Sequence, residues 1–323
     1  MAFSLAFLAL VIERLVGYPQ WLVRGIGHPV MWIGALIESL EHRLNRSDLD
    51  FSARRRNGVL AFIALLAATL MVSFLIERSV LLLPFGILLL AVVASSLIAQ
   101  KSLESHVRAV AIALETGGIE AGRKAVSMIV GRDPDQLDEA GVSRAAIESL
   151  AENFSDGITA PALWLGLLGL PGAALYKATN TADSMIGHRN ARYGAFGWAA
   201  ARFDDLVNLP ASRLTALLFI AAACLVPGTS PRGAWAAVRR DAGKHKSPNA
   251  GWPEAAMAGA LGLGLAGPRI YDGVLVEDHV MGEGGRRAAT AEDIMRALSL
   301  SRIADLLLII LFGLLADGLT ALW

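Results

Sequence analysis

The stretch VLAFIALLAATLMVSFLI at 59–76 decides the fold of this chain, because it contains no charged residue along its whole length. A second apolar run at 79–99 follows after the charged pair 77–78, and a third occupies 303–323. A helix needs about 20 apolar residues to cross a bilayer. The sequence therefore predicts three membrane-spanning helices in these places.

The composition of the 323 residues agrees with a membrane protein. Hydrophobic residues make up 54% and charged residues 18%, against about 25% charged residues in soluble domains. The formal net charge is zero, which argues against nucleic acid as a partner. The single cysteine, Cys224, allows neither an internal disulfide nor a cysteine metal cluster. The apolar start at 1–12 lacks a basic beginning and a small-residue cleavage site, so we interpret it as a retained helix.

The distribution of charge predicts the orientation. The basic run 54–56 precedes the first span, and the positive-inside rule places it in the cytoplasm. The pair 77–78 then forms a turn outside, and the segment 100–157 returns to the cytoplasm. Apolar residues there recur at helical spacing, and Asp133-Pro134 begins a second helix, so we expect a cytoplasmic cap of amphipathic helices.

The segment 158–176 has the composition of a broken helix, because prolines and glycines interrupt its apolar residues. Its centre, LGLPG at 168–172, predicts a turn between two half-length helices. Broken helices at membrane depth occur only where protein or water covers their free backbone groups. We therefore predict an all-α fold: one polytopic integral membrane domain over 1–323, with a helical cytoplasmic cap, a re-entrant helical hairpin, and cytoplasmic polar segments at 177–213 and 227–302.

Ionisable groups are costly in membrane proteins and usually mark a functional site. The first such group lies in ESLAENFSDGITAP at 148–161. Glu148 and Glu152 are four residues apart and share a helix face, with Asn153 and Asp156 on the adjacent face. Converging carboxylates can hold Mg²⁺ or act as a general base. A solvated helix end with favourable caps explains the same pattern equally well.

The second polar group follows the hairpin directly, where a lipid-facing helix would be apolar. Lys177, Asn180 and Ser184 form a helical stripe, with Asp183 beside it. Asn180 and Asp183 suit a metal-bound phosphate, and Lys177 would neutralise phosphate charge. His188 alone indicates little, because a structural histidine is commoner than a catalytic one.

Two further polar segments complete the set. Asp205 and Asn208 share a helix face, which suits Mg²⁺ held by a phosphorylated substrate, although an ion pair of Arg202 with a carboxylate explains the pattern too.

The basic loop HKSPNAGWPE at 245–254 opens onto a helix N-terminus, which favours anion binding; an ordinary basic turn is the alternative. The glycines of GALGLGLAG at 259–267 indicate close helix packing rather than a nucleotide loop, because no Gly-Lys-Ser/Thr follows.

Several motifs occur in order along the chain: GHPV at 27–30, ESLAENFSDGITAP at 148–161, GLPGAALYKATNTADSMIGHRNARYG at 169–194, ARFDDLVN at 201–208 and HKSPNAGWPEAAMAGALG at 245–262. Together they resemble the adenosylcobinamide-phosphate synthase family of cobalamin biosynthesis, known as CobD/CbiB. The strings NTADSMIGHRN and SPNAG are specific, and the resemblance covers nearly the whole chain. Two positions depart from the family pattern: Glu13 stands where the family usually has Asp, and Tyr18 replaces the Asp of Gly-Asp-Pro. Tyr18 is therefore not a site candidate.

The resemblance implies an ATP-dependent ligase, adenosylcobinamide-phosphate synthase, at the cytoplasmic face of the inner cell membrane. It would join the free propionate of (adenosyl)cobyric acid to aminopropanol phosphate, or to aminopropanol in some pathways, and form adenosylcobinamide (phosphate). ATP and Mg²⁺ are the implied cofactors, and an acyl phosphate is the implied intermediate. The implied partners are the corrinoid, aminopropanol phosphate and the lipid bilayer; a homo-oligomer or a complex with other corrinoid enzymes is left open.

The residues that match the family motifs supply the candidate site. The expected catalytic residues are Glu152, Asp156, Asp183 and Asp205. The expected magnesium ligands are Asp183, Asp205 and Glu152. The expected substrate- and phosphate-binding residues are His28, Asn153, Lys177, Asn180, Ser184, His188, Arg189, Asn208, His245, Ser247 and Asn249.

Two other functions compete with this one. A UbiA-like membrane prenyltransferase would also bind magnesium diphosphate through Asn and Asp, but it needs two DxxxD motifs. Asp204-Asp205-x-x-Asn208 and Asn180-x-x-Asp183 fit these poorly. A transporter or a non-catalytic membrane sensor would explain the broken hairpin. Against this, no inverted repeat is apparent in the sequence, and much of the polar set lies in predicted cytoplasmic segments.

Overall fold

The computed structural model describes residues 1–130, 134–267, 269–271, 274–276 and 278–320. The chain divides into two compact units. Unit 1 contains Met1–Ala99, Ala160–Asn208 and the chain from Leu311 onward, and unit 2 contains Gln100–Thr159 and Leu209–Ile310. The helix start expected at Asp133-Pro134 is wrong: Asp133 lies outside the described residues, and the helix begins only at Glu139, where Asp138 caps it. The end of the span expected at 303–323 also lies outside the described residues.

Helices make up most of both units. In chain order they are α1 (Ala2–Val16), α2 (Gln20–Ile26), α3 (Pro29–Leu44), α4 (Phe51–Leu81), α5 (Gly86–Ser95), α6 (Gln100–Val126), α7 (Glu139–Phe154), α8 (Ala160–Ile186), α9 (Trp198–Ala222), α10 (Pro231–Asp241), α11 (Gly251–Leu261) and α12 (Ala291–Thr320). A π-helical turn at Ser155–Thr159 joins α7 to α8, and a 3-10 turn at Ala242–Lys244 follows α10.

Four short strands follow α11, and the sequence patterns did not predict them. They are β1 (Leu265–Ala266), β2 (Arg269–Tyr271), β3 (Val274–Val276) and β4 (Val280–Met281). β1 pairs with β4 and β2 with β3, both antiparallel. Strands of two or three residues are too short to show the alternating pattern by which a strand is recognised in a sequence.

The helices confirm an all-α fold of membrane type. By length and composition, five helical stretches in the described part of the chain could cross a membrane: Phe51–Leu81, Gly86–Val126, Glu139–Ile186, Trp198–Ala222 and Ala291–Gly318. A sixth is obtained if Ala2–Val16 and Trp21–Leu44, which meet at an angle of 106°, count as one broken span. The re-entrant placement of the hairpin and the cytoplasmic placement of the cap stay predictions.

The most consequential break in unit 1 lies inside α8. Gly169 has φ +70° and ψ −162°, which is not helical. A Cβ atom added at Gly172 would overlap the carbonyl oxygen of Trp164, although eight residues of straight helix span about 12 Å. The chain therefore turns back at Gly169, within LGLPG, and α8 consists of two halves, 160–168 and 170–186.

A carboxylate of α4 holds this break. Glu77 Oε2 accepts a hydrogen bond from the backbone N–H of Leu170 at 2.7 Å, at the start of the second half of α8. Gly169 suits this position because its φ of +70° would strain any other residue, and an added Cβ would also lie 2.6 Å from the same Glu77 oxygen. The turn expected at 77–78 is accordingly wrong. α4 continues to Leu81 and the turn to α5 lies at 82–85, because Glu77 caps a neighbouring helix instead of facing solvent in a turn.

The core of unit 1 lies between α3, α4, the second half of α8 and the loop that follows it. Its buried residues are Ile37, Ala61, Phe62, Leu65, Ala178, Ala182, Ile186, Phe196 and Ala200. The alanines of α8 allow a close approach to α4. At the far end of α4 from Glu77, a Cβ at Gly58 would overlap the carbonyl oxygen of Phe196. The loop 187–197 is thus packed directly against α4.

The core of unit 2 includes a buried carboxylate that joins α10 to β4. Asp241 Oδ2 accepts the backbone N–H groups of Gly282 at 2.9 Å and Glu283 at 3.1 Å, and Arg240 binds both of its oxygens. Burial acts to raise the pKa of Asp241, but the hydrogen bonds from Arg240 and from the two backbone groups outweigh it and hold this pKa below its usual range. Asp241 therefore stabilises the fold as a carboxylate.

We expect Glu77→Ala to lower the free energy of unfolding by about 1–2 kcal/mol, as the loss of a helix cap does. The N–H of Leu170 would lose its acceptor, and the turn at Gly169 would loosen. Thermal unfolding of the purified protein in detergent measures the effect. The control is Glu115→Ala, which removes an exposed helical glutamate. Equal melting temperatures for the two variants would contradict the capping role of Glu77.

Candidate functional site

Two neighbouring helical segments bring acidic and amide side chains together in unit 1. We name Asn180, Asp183, Asp204, Asp205 and Asn208 the acidic cluster. Asn208 donates from Nδ2 to Asp204 Oδ2 at 2.9 Å and accepts at Oδ1 from the hydroxyl of Tyr176, also at 2.9 Å. Asp183 interacts electrostatically with both aspartates of α9, and Asn180 lies beside the Asp204 carboxylate. The second half of α8 and the first half of α9 thus build one polar site.

Asp204 is the central residue of the acidic cluster. Its exposed fraction is 8%, and its Oδ1 atom accepts no hydrogen bond from any described residue. Asp205 lies at the edge instead: its side chain is 34% exposed and its Oδ2 is 3.8 Å from a guanidinium nitrogen of Arg202. The sequence pattern singled out Asp205 and omitted Asp204. The four-residue spacing of Asp204 and Asn208 was the available signal, since it places both on one helix face.

The absence of a side chain at Gly187 leaves room for the Asp183 carboxylate. A Cβ at Gly187 would overlap Asp183 Oδ1 and would lie 2.6 Å from the Asp183 carbonyl oxygen. That carbonyl accepts the N–H of Gly187 at 2.7 Å. The chain leaves α8 at this glycine, so the end of the helix, the Asp183 carboxylate and the loop that follows are fixed together.

Four other predicted residues of unit 1 lie at the start of α3, along α8 or in the loop after α8. Lys177 interacts electrostatically with His28; the Nδ1 atom of His28 also accepts the N–H of Val30 at 3.3 Å and so caps α3. His188 is exposed and interacts with Asp183. Ser184 donates to the Asn180 carbonyl at 2.9 Å, a bond within its own helix.

The predicted residues of α7 and the π-helical turn belong to unit 2. Glu152 is exposed, Asn153 donates to the Ser149 carbonyl at 2.9 Å, and Asp156 lies in the π-helical turn. Single π-turns are frequent at functional sites. Glu148 has a structural contact: its Oε1 accepts the N–H of Ala266 at 2.7 Å and thereby fixes the start of the strands.

The loop between α10 and α11 is organised around Asn249. Asn249 Oδ1 accepts hydrogen bonds from Arg213 at 2.9 Å and from the hydroxyl of Ser212 at 3.2 Å. The Arg213 guanidinium also lies 4.5 Å from the ring centroid of Trp252. Asn249 is buried, so its amide is a linker between α9 and the loop.

Ser247 and His245 shape the same loop. Ser247 Oγ accepts the N–H groups of Asn249 and Ala250 at 3.2 Å each, and the N–H of Ser247 bonds His245 Nδ1 at 3.0 Å. The other ring nitrogen of His245 is 3.8 Å from Glu254 Oε1. These contacts hold the loop against the start of α11.

The candidate residues therefore fall into two sets. Unit 1 contains His28, Lys177, Asn180, Asp183, Ser184, His188, Arg189, Asp205 and Asn208, and unit 2 contains Glu152, Asn153, Asp156, His245, Ser247 and Asn249. Among the described residues, no group of three or more His, Cys, Asp or Glu side chains is arranged to hold a metal ion. The expected ligand Glu152 lies in a different unit from Asp183 and Asp205.

Comparison with known proteins gives consistent matches over most of the chain. Cobalamin biosynthesis protein CobD of a Sinorhizobium species is 56% identical over 289 residues, which cover 89% of this chain and 90% of the relative. The protein of the same name from Rhizobium meliloti strain 1021 is 50% identical over 90% of both chains, and that from Rhodobacter capsulatus is 48% identical over 97% of both. No solved structure matched the chain.

The family match agrees with the motifs. The family described as CobD/Cbib protein matches residues 6–301. That range contains the acidic cluster of unit 1, the π-helical turn and the Asn249 loop of unit 2. On this match and on the identity to its relatives, the chain belongs to the CobD/Cbib family.

Proposed function

We propose roles in the reaction for the candidate residues. As a member of its family, the chain is an adenosylcobinamide-phosphate synthase of cobalamin biosynthesis, and it converts adenosylcobyric acid to adenosylcobinamide or its phosphate. The observation that carries this assignment is the family match over residues 6–301. Neither a prenyltransferase nor a transporter is among the relatives reported above.

The chemistry of amide formation favours ATP as a cosubstrate. A carboxylate is a poor acyl donor, so a carboxylate oxygen first attacks the γ-phosphorus of ATP; ADP leaves and an acyl phosphate forms. The amine nitrogen of aminopropanol phosphate then attacks the acyl carbon, the C–N bond forms and inorganic phosphate leaves. A base accepts the proton of the amine. Phosphoryl transfer needs positioning and charge neutralisation above all, which a cluster of carboxylates, amides and cations provides.

The acidic cluster fits a magnesium ion bound together with phosphate. Mg²⁺ in phosphoryl-transfer sites takes one or two carboxylates, with phosphate oxygens and water as its other ligands. Asp183 and Asp204 would hold it, since Asp204 keeps a buried oxygen without a hydrogen-bond partner among the described residues, and Asp205 stands beside them. A bound Mg²⁺ would neutralise charge on the transferred phosphate.

The other candidate residues receive roles by their chemistry. Asn180 and Asn208 orient the carboxylates of the acidic cluster, and Lys177 neutralises phosphate charge. Glu152 and Asp156 of unit 2 are the proposed proton acceptors. In the loop between α10 and α11, the partly buried His245 and Ser247 bind phosphate or corrin amide groups, and the buried Asn249 holds this loop against α9. Asn153, Ser184 and His28 hold the local backbone.

The contacts of the basic run support an active site on the cytoplasmic side of the inner membrane. Arg54 donates to the carbonyl oxygens of Ala191 at 3.2 Å and of Arg192. The loop 187–197 therefore lies on the same side of unit 1 as the basic run. The positive-inside rule assigns that side to the cytoplasm, where ATP and the corrinoid are available.

The reaction itself is tested with purified protein in detergent, supplied with adenosylcobyric acid, aminopropanol phosphate, ATP and Mg²⁺. Mass spectrometry should show the corrinoid gaining the mass of the amide, with one ATP consumed for each product. Omission of ATP or chelation of Mg²⁺ should abolish product. Product formed at full rate without ATP would contradict the proposed activation of the carboxylate.

Asp183→Asn tests the acidic cluster. We expect kcat to fall by about a hundredfold or more, as for loss of a group that stabilises transition-state charge, with an unchanged melting temperature. The matched control is Asp48→Asn on an exposed loop. Wild-type ligation by Asp183→Asn would refute the assignment.

Gly187→Ala tests whether the position of the Asp183 carboxylate matters. The added Cβ must displace both the carboxylate and the carbonyl of Asp183, and a displacement of about 1 Å can lower a rate by up to about a hundredfold. Gly318→Ala is the control, because a Cβ there meets no atom within 4 Å. Equal kcat in the two variants would show that the geometry at Gly187 is not used.

A further inference from the structure

A cavity of about 330 Å³ opens beside the acidic cluster in unit 1. Its lining includes Gly187, Arg189, Tyr193, Trp198 and Asp205. Ligand sites of proteins have volumes of roughly 300–1,000 Å³. Of the residues that line the cavity, the roles proposed above involve Asp205, so most of the cavity wall has no assigned role.

Guanidinium groups give the cavity a positive side. Arg189 and Arg202 both line it. Arg189 is exposed, and Arg202 is 61% exposed, with a 3.8 Å contact to Asp205. Guanidinium groups bind phosphate oxygens through two parallel hydrogen bonds. The two arginines therefore suit a ligand with more than one phosphate.

Aromatic rings form another part of the wall. Trp198 is 40% exposed at the cavity, and the guanidinium of Arg55 lies 3.8 Å from the centroid of its ring. Tyr193 and Phe51 also line the cavity, and Phe51 is exposed. Nucleobases stack on such rings, and the stacking does not depend on the identity of the base. The wall thus offers a surface for a flat aromatic base.

The phosphate side of the cavity meets the acidic cluster. Gly187 lines the cavity and lies against Asp183 Oδ1, and Asp205 is itself part of the wall. Asp183, which would hold a metal ion, therefore lies next to a residue of the cavity wall. Aromatic rings, guanidinium groups and a carboxylate of the acidic cluster thus line a single cavity.

We propose that this cavity binds the magnesium complex of a nucleoside triphosphate, with the base against Trp198 and Tyr193 and the phosphates between Arg189 and the acidic cluster. The proposal rests on the ATP-dependent function proposed above and gives it a location. The phosphates must reach Asp183, because the γ-phosphoryl group is transferred where the metal ion is held.

A lipid headgroup is the other source of phosphate, since arginine and aromatic residues are also typical of membrane interfaces. The carboxylate of Asp205 in the wall argues against it. An anionic headgroup would be repelled by this carboxylate, whereas the Mg²⁺ that accompanies a nucleotide would offset the repulsion between the carboxylate and the phosphates. The experiment below separates the two sources.

Arg189→Gln and Trp198→Ala test the site in the full-length protein. The controls are Arg43→Gln and Trp235→Ala, which change exposed residues outside the cavity. We expect the KM for ATP to rise about ten- to hundredfold in both cavity variants, as for loss of a hydrogen bond to a charged group or of a base stack. The KM for adenosylcobyric acid and the KM for aminopropanol phosphate should stay within about twofold of the wild-type values.

Binding of a non-hydrolysable ATP analogue with Mg²⁺ provides the second readout, in nanodiscs of phosphatidylcholine alone and with phosphatidylglycerol. We expect Arg189→Gln to weaken binding equally in both lipids. An effect seen only with phosphatidylglycerol would assign the cavity to a lipid headgroup, and a change confined to the KM for aminopropanol phosphate would assign it to the amine substrate. Either result overturns the proposal, as would an Arg189→Gln variant indistinguishable from Arg43→Gln.

The two proposals fail in different ways. If the wild-type protein forms product with ATP but the cavity variants keep their KM for ATP, only the location is wrong. If the wild-type protein binds the analogue in the cavity but forms no product, the cavity assignment stands and the proposed reaction course fails.

Discussion

The close approach of α4 to the second half of α8 is the constraint on which the rest of unit 1 depends. At one end Glu77 accepts the N–H of Leu170 and holds the reversal of the chain at Gly169. At the other end, Gly58 lets the loop at Phe196 pack directly on α4. Alanine side chains between the two ends keep the helices close. Because both ends are fixed, the polar side chains carried by the second half of α8 face α9 in a defined register.

This register explains how an apolar protein maintains a polar site. Asp204 is buried, and its carboxylate is paired with Asn208, which in turn is held by Tyr176. A buried carboxylate oxygen that accepts no hydrogen bond lowers the stability of the fold unless a bound ligand compensates for it. The arrangement therefore fits a site that is completed by a cation and phosphate. The basic and aromatic wall of the adjoining cavity has the complementary chemistry for a nucleotide.

The separation of the chain into two units changes how the candidate residues are understood. The sequence pattern grouped Glu152 with Asp183 and Asp205 as metal ligands, because all three are carboxylates in neighbouring motifs. The structure assigns Glu152 to unit 2, and it shows that Asp204 is the buried aspartate of the acidic cluster. Asn249 and Glu148, both matched to motifs, contact the backbone or side chains of their own unit. Residues of these motifs therefore hold loops and strands in place, in addition to supplying candidate catalytic and binding groups.

The sequence by itself determined the membrane-type helical fold, the break at LGLPG and the family, because apolar run length, glycine and proline positions and motif strings are local properties of the chain. It also selected Asp183, Asn180 and Asn208, which helical spacing places on common faces. Only the tertiary structure decided that Glu77 caps a distant helix, that Asp204 is more central than Asp205, and that Arg189 and Trp198 share a cavity. Each of these depends on which residues far apart in the chain become neighbours, and packing between helices, not local periodicity, determines that.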